Sequence, residues 1–210
     1  MANFNNCFKI IQWNTRGIRS KNHWLKCRPF SSADVFVFQE TFLGPGANFS
    51  CNKKMVFRSD RTINGGGLMI AVNSKLPAKK INLVSFSPVD YEIMGVEIYI
   101  GGKQLSILNI YAPQGKIREV WLQKHLLTIK TPFLIMGDFN QKNRAWGNPI
   151  NTTGSEELLN WVTTSNVCIL NTKNFTRISP GSSSLIDLTL CSPDIFHKFK
   201  LFYYYYFTTI

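Results

Sequence analysis

Acidic residues are scarce in this sequence: 12 Asp and Glu stand against 24 Lys and Arg, which leaves a formal charge of +12 over 210 residues. The excess runs through both halves, with 14 basic and 6 acidic side chains in residues 1–105 and 10 and 6 in residues 106–210, so it is not a detachable tail. A polyanion is the natural partner. The plain alternative is a solvated basic surface, since net charge governs non-specific association and not chemistry. Paired cysteines are also missing. Cys7, Cys27, Cys51, Cys168 and Cys191 show no Cys-x-x-Cys spacing and no histidine at zinc-like intervals, which argues against a disulfide scaffold or a zinc site. No apolar run approaches the roughly 20 residues that span a bilayer, and the opening Met-Ala-Asn-Phe-Asn-Asn-Cys lacks a basic region followed by an apolar stretch. The expectation is a protein of a reducing compartment, nucleus or cytoplasm, with no membrane partner. Internal repeats and linkers are lacking too, and 44% hydrophobic content excludes global disorder.

What is present is a series of short apolar runs rich in β-branched and aromatic residues. Strands are expected at residues 8–13, 35–38, 68–72, 92–100, 104–111, 133–136, 167–170 and 185–190. Gly101-Gly102 between two of them predicts a tight hairpin. A short helix is expected around residues 23–27. A second, over 116–130, would carry Ile117, Val120, Trp121 and Leu127 on one face and end before Pro132. A third would be capped by Ser155, with Glu156 and Glu157 in its first turn and Leu158, Leu159, Trp161 and Val162 buried. This order predicts one α+β domain.

Polar residues stand at the ends of the apolar runs: Asn14, Glu40, Asn109, Tyr111, Asp138 and Asn140. A buried strand that ends in a carboxylate must give that charge a partner, and a hard divalent cation with oxygen ligands is an efficient one. Glu40 and Asp138 are therefore candidate metal-site residues; the bland alternative is a turn former or helix cap. In Gly137-Asp138-Phe139-Asn140 the glycine permits close backbone approach to a ligand, and the acid and amide share one face of an extended segment. An Asx-type turn is the alternative there. Gly65-Gly66-Gly67 lacks the Lys-Ser/Thr of a phosphate loop and reads as a hairpin turn without chemistry.

Five segments in this order resemble the endonuclease/exonuclease/phosphatase superfamily: Trp13-Asn14-Thr15-Arg16-Gly17, Gln39-Glu40-Thr41, Asn109-Ile110-Tyr111-Ala112-Pro113, Gly137-Asp138-Phe139-Asn140 and Ser184-Leu185-Ile186-Asp187-Leu188. Ala145-Trp146-Gly147 and Ile186-Asp187-Leu188-Thr189-Leu190 look most like the apurinic-endonuclease-like domain of non-LTR (LINE-type) retrotransposons. The resemblance implies a four-layered α/β sandwich of DNase I-like type, with two packed, mainly antiparallel sheets flanked by helices. It also implies a Mg²⁺- or Mn²⁺-dependent hydrolase of phosphodiesters in double-stranded DNA. By the same resemblance Glu40 and Asn14 belong to the metal site. Asp138 orients or deprotonates water, Asn140 holds the phosphate, Tyr111 stabilises developing charge, and Asp187 braces a histidine. Asn109, Gln114, Arg16, Arg19 and Lys21 are assigned to the phosphate and DNA surface, with Lys26 and Arg28 extending the basic stretch. A solvated loop is the alternative for that stretch. Trp146 is either a base or sugar contact or a packing residue.

The family normally closes on a last strand with Ser-Asp-His, and here the histidines are His23, His125 and His197, none in that context. The ending, from Lys200 through four consecutive tyrosines to Ile210, is low-complexity aromatic text. The expected organisation is a domain over 1–199 lacking its last strand and an aberrant tail over 200–210, as in a truncated or frame-shifted reading. Two functions follow: a monomeric nicking endonuclease that serves a reverse transcriptase domain in an intact element, or an impaired relic that at most binds DNA. A phosphoinositide or sphingolipid substrate on the same fold ranks below both.

Overall fold

The computed structural model describes residues 8–61, 65–83 and 91–203. In chain order the elements are β1 (Ile10–Asn14), α1 (Ile18–Lys21), β2 (Val35–Gln39), β3 (Lys54–Ser59), β4 (Leu68–Asn73), β5 (Ala78–Ile81), β6 (Glu92–Ile100), β7 (Lys103–Tyr111), α2 (Glu119–Leu126), β8 (Phe133–Asp138), α3 (Ser155–Thr164), β9 (Cys168–Ile169), β10 (Arg177–Ser179), β11 (Ser182–Ser184) and β12 (Asp187–Cys191). One sheet has the order β1-β2-β4-β3 and the other β5-β6-β7-β8-β12-β9, with β10 and β11 forming a separate hairpin. Within the two large sheets only β1 with β2 and β7 with β8 are parallel pairs.

The period-two geometry of a strand explains the layering. In β2, Val35 and Val37 face the second sheet, where they meet the cluster containing Val96, Ile107 and Leu134. Phe36 and Phe38 point the other way and pack with Ile18, Leu25 and Phe30 from the helical turns that cover the first sheet. The outer face of the second sheet, including Leu108, Ile110 and Ile135, is covered by α2 and α3 through Leu122, Leu158 and Trp161. Four layers result: short helical turns, a sheet, a second sheet, and two longer helices. This is the α+β sandwich that the sequence predicts.

The Gly101-Gly102 hairpin is present, with φ of 56° and 78° and Ile100 paired to Lys103. The helix expected over 116–130 is shorter and phased differently. It runs Glu119–Leu126 and buries Leu122 and His125, while Val120 and Leu127 are exposed and Ile117 enters the core from the preceding loop. The helix near residue 23 resolves into α1 and a 3₁₀ turn, Trp24–Lys26. Ser155 is the first helical residue and not the cap: Gly154 precedes it in a left-handed conformation, and the buried Ser155 hydroxyl accepts a hydrogen bond from Asn143 Nδ2 instead. Strands β3, β5, β10 and β11 escape the sequence reading because they are polar or short. Among the described residues no helix is long and apolar enough to cross a membrane.

Candidate active site

The inward face of the six-stranded sheet changes character at one end. Along β8 the inward positions run Leu134, Met136, Asp138; along β6 in reverse they run Ile98, Val96, Met94, Glu92. Strand register aligns the terminal polar residues in a row, with Glu92 opposite Tyr111, Tyr111 opposite Asp138, and Asp138 opposite Asp187. Directly paired residues share a face, so these side chains all turn toward the other sheet. From that sheet come Asn14, at the end of β1, and Glu40, just beyond β2.

Asn14 joins the two sheets at this point. Its Nδ2 donates to Glu40 Oε1 at 2.7 Å and to Asp138 Oδ2 at 2.9 Å. The other oxygen of Asp138 accepts from the backbone N–H of Asn140 at 3.0 Å and closes an Asx-type turn, with Asn140 in the left-handed region at φ 49°. The Asn140 amide donates to the Ala112 carbonyl at 3.1 Å, beside the turn that carries the exposed Gln114. Gly137 is required for a reason other than ligand access: a Cβ there would lie 1.9 Å from the Ile110 carbonyl oxygen, so the glycine lets β8 lie close to β7.

Glu40 itself has φ 50°, and backbone bonds on both sides hold its segment in place. Gly17 N–H donates to the Glu40 carbonyl, and Thr41 N–H donates to the Gly67 carbonyl. The Glu40 carboxylate faces the Tyr111 hydroxyl, and together with burial this raises the tyrosine above its usual range. Burial and the neighbouring Asp187 raise Asp138, against the hydrogen bonds from Asn14 and Asn140. Asp187 is raised by burial, against hydrogen bonding from Thr176 and the charges of Arg16 and Arg177; among the described residues no histidine figures in its surroundings. Glu92 is raised by burial and by Glu40, against the Gly67 N–H and Arg61. The site is thus an excess of hard oxygen donors that favours either a proton or a cation. Among the described residues no three acidic, histidine or cysteine side chains enclose a point as a metal cage. That donor set fits a small divalent ion that keeps waters and takes substrate oxygens as its remaining ligands.

Several assignments made from the sequence need correction. Asn109 is fully buried between the sheets; its Nδ2 donates to the Phe38 and Met69 carbonyls and its Oδ1 accepts from Gln39, so it cannot touch a phosphate. Of the two readings of Trp146 the packing one holds: it is a core residue, with its indole N–H on the Gln141 carbonyl. Asn14 presents its NH₂ to the two acids and bridges them, while its oxygen accepts from the Arg16 N–H at 3.3 Å. Arg16 and Lys21 line a groove of about 860 Å³ that also contains Asp138 and Asp187, whereas Arg19 reaches away to the Asn48 carbonyl. His197 follows the Cys191 end of β12, opposite the Asp187 end, and His125 lies on the buried face of α2.

Three residues near the site escape the sequence reading. Glu92 has the same strand-end signature as Glu40 and Asp138, but at a strand's start. Thr176 bridges the N–H groups of Ile186 and Asp187 with its hydroxyl. Arg177 brings a cation to the same groove from the β10–β11 hairpin. Nothing in the local sequence marks the last two.

Residues 105–207 match the family described as Endonuclease-reverse transcriptase. No curated protein matches the chain. Among solved structures, the endonuclease domain of TRAS1, a telomere-specific non-LTR retrotransposon, is similar with a TM-score of 0.72 at 19% identity, over 90% of this chain and 86% of that one. An AP endonuclease from Archaeoglobus fulgidus gives 0.67 at 16% identity, over 90% and 88%. A 3'-5' exonuclease (NExo) from Neisseria meningitidis gives 0.64 at 16%, over 90% and 89%.

Proposed function

Because the chain belongs to the endonuclease/exonuclease/phosphatase superfamily, its second half matching the endonuclease–reverse transcriptase family, we propose that it is a divalent-metal-dependent endonuclease that nicks double-stranded DNA. The observation that carries this reading is the Asn14 amide held between Glu40 and Asp138, with Asp187 next in the row and a groove lined by Arg16, Lys21 and Arg177 alongside.

Glu40 is the acid that would hold Mg²⁺ or Mn²⁺, and a bound ion supplies Lewis-acid stabilisation to the phosphate undergoing displacement. Asp138 would accept a proton of the attacking water as oxygen bonds to phosphorus and the bond to the 3′ oxygen breaks, and the departing 3′ oxygen takes up a proton from solvent. The product ends are a 5′ phosphate and a 3′ hydroxyl. Asn140 and Gln114 contact the phosphate, and Tyr111 donates its hydroxyl hydrogen toward charge that builds on it. The groove cations bind the duplex backbone, each phosphate contact releasing counterions. In this reading the catalytic domain extends at least through Tyr203, past the end expected at residue 199, because residues 200–203 line the groove and the Tyr203 hydroxyl accepts from the Thr172 N–H, and the protein acts as a monomer in the nucleus or cytoplasm. The 3′ hydroxyl primes a reverse transcriptase domain of the same element.

Supercoiled plasmid is the test. Nicking with Mg²⁺ that disappears with EDTA and in Asp138→Ala is expected. A second reading, a relic that binds DNA without cutting it, is favoured by the lack of a histidine beside Asp187 among the described residues. It predicts a salt-dependent shift of a duplex with no nicking above the Asp138→Ala background.

A further inference from the structure

Glu92 belongs to the polar row, yet its carboxylate serves a different segment. Oε2 accepts from the backbone N–H of Gly67 at 2.8 Å, and Oε1 lies 3.4 Å from the Arg61 guanidinium, with the side chain 16% exposed. The peptide unit it meets and the one after it grip the Glu40 turn: the Gly66 carbonyl, in the same unit as the Gly67 N–H, accepts from Phe42 N–H at 3.0 Å, and the Gly67 carbonyl accepts from Thr41 N–H at 3.1 Å. That turn is one the chain resists, with Glu40 at φ 50° and Phe42 at φ 53°. Left-handed conformations at such residues persist only where their surroundings fix them. Gly66 is fitted to the same contact, since a Cβ there would sit 2.3 Å from Glu92 Oε1.

We infer that Glu92 is a positioning residue: through the Gly66–Gly67 backbone it holds the Glu40–Phe42 turn in the conformation that presents the Glu40 carboxylate to a divalent cation. This rests on the reading of Glu40 as the cation-binding acid. What Glu92 contributes is a hydrogen-bond acceptor at a fixed reach. Its charge has little net effect on cation binding, because the repulsion it adds at Glu40 offsets the attraction it adds for the cation.

Three variants separate reach from charge. Glu92→Gln keeps the acceptor at the same reach without the charge, and the half-exposed Arg61 is free to swing toward solvent. Glu92→Asp keeps the charge and draws it back by one methylene. Glu92→Ala removes both. Mn²⁺ binding to the full chain, followed by water-proton relaxation, is measured beside hydrogen exchange of the Thr41 and Phe42 amides in metal-free protein. Glu92→Gln is expected within about threefold of wild type in Mn²⁺ affinity, with unchanged exchange. Glu92→Asp and Glu92→Ala are expected to weaken Mn²⁺ by about tenfold or more and to speed exchange at both amides, in the range seen when residues that orient metal ligands are removed. Nicking by these two at saturating Mn²⁺ should return to within about threefold of wild type. Wild-type behaviour of Glu92→Asp with weakened Glu92→Gln would overturn the inference in favour of charge, and so would unchanged binding and exchange in Glu92→Ala. If Glu92→Ala does not fold, the Gln and Asp pair decides alone. Failure of wild type itself to bind Mn²⁺ would refute the Glu40 reading, and amide exchange would still show whether Glu92 holds the turn.

Discussion

Asn109 and Asp138 are both polar, both on inward faces of neighbouring strands, and only two positions apart in register, since Asn109 is opposite Met136 and Tyr111 is opposite Asp138. Their surroundings differ completely. Asn109 is neutral and fully matched, with two carbonyls and the Gln39 amide around it, the last at 2.6 Å. Asp138 faces Asp187 across the next strand pair, and both carboxyls are pushed upward. Between the sheets no solvent can make up a missing partner, so an unmatched polar group there costs free energy that Asn109 avoids by bonding through both of its amide atoms. At the rim, water or a bound cation can complete it, and an unbalanced charge persists there. The deeper residue fixes how the sheets meet; the outer one supplies the chemistry.

The largest effect that would sharpen this contrast is on catalysis. Asp138→Ala should lower nicking about 10³-fold, roughly 4 kcal/mol in the barrier, while duplex affinity in a gel shift stays within about threefold. Asn109→Leu should do the reverse. It strands the Gln39 amide and the Phe38 and Met69 carbonyls, and urea unfolding should show a loss of about 2–4 kcal/mol. Asp187→Asn removes one of two facing like charges while its amide oxygen still accepts from Thr176. The metal-free protein should gain about 1 kcal/mol in thermal unfolding, and added Mg²⁺ should stabilise it less than it stabilises wild type.

The smallest expected effect concerns the buried His125, which hydrogen-bonds the Tyr91 hydroxyl at 3.0 Å and is held below its usual pKa by burial. The native state keeps this ring neutral while the unfolded chain protonates it near pH 6.5. Its contribution to stability is therefore complete above that pH and is lost as pH falls through it, with a slope of at most about 1.4 kcal/mol per pH unit. The raised carboxyls act with the opposite sign, because the native state binds their protons first. Subtracting the pH profile of His125→Gln from that of wild type isolates the histidine; a flat difference between pH 7.5 and 5 would contradict this account.

The same comparison shows how far the sequence could be read. Polar residues at strand ends are visible in sequence, and Asn14, Glu40 and Asp138 meet as that pattern suggests. The pattern carries no depth, however, so Asn109 looks like a surface contact and Trp146 stays open between contact and packing until the second sheet and the helices are laid over them. Helix α2 misleads for a related reason. Its apolar residues are numerous enough to suggest a stripe, but Ile117 lies before the helix and Val120 faces solvent, so Leu122 and His125 set the buried side. The β10–β11 hairpin is illegible because Ser-Pro-Gly-Ser-Ser-Ser has no apolar alternation, yet it delivers Arg177 to the groove. Glu92 was within reach, since a carboxylate at a strand's start faces the same burial problem as one at its end.

Primer extension measures the central claim most directly, that the unbalanced rim cuts DNA and leaves an end a polymerase can use. A supercoiled plasmid treated with wild-type protein and Mg²⁺ is repurified and offered to a DNA polymerase with labelled nucleotides. Wild type should create nicks that are extended at once, without prior phosphatase treatment, and Asp138→Ala should give no labelling above untreated plasmid. Equal labelling by wild type and Asp138→Ala would contradict the account.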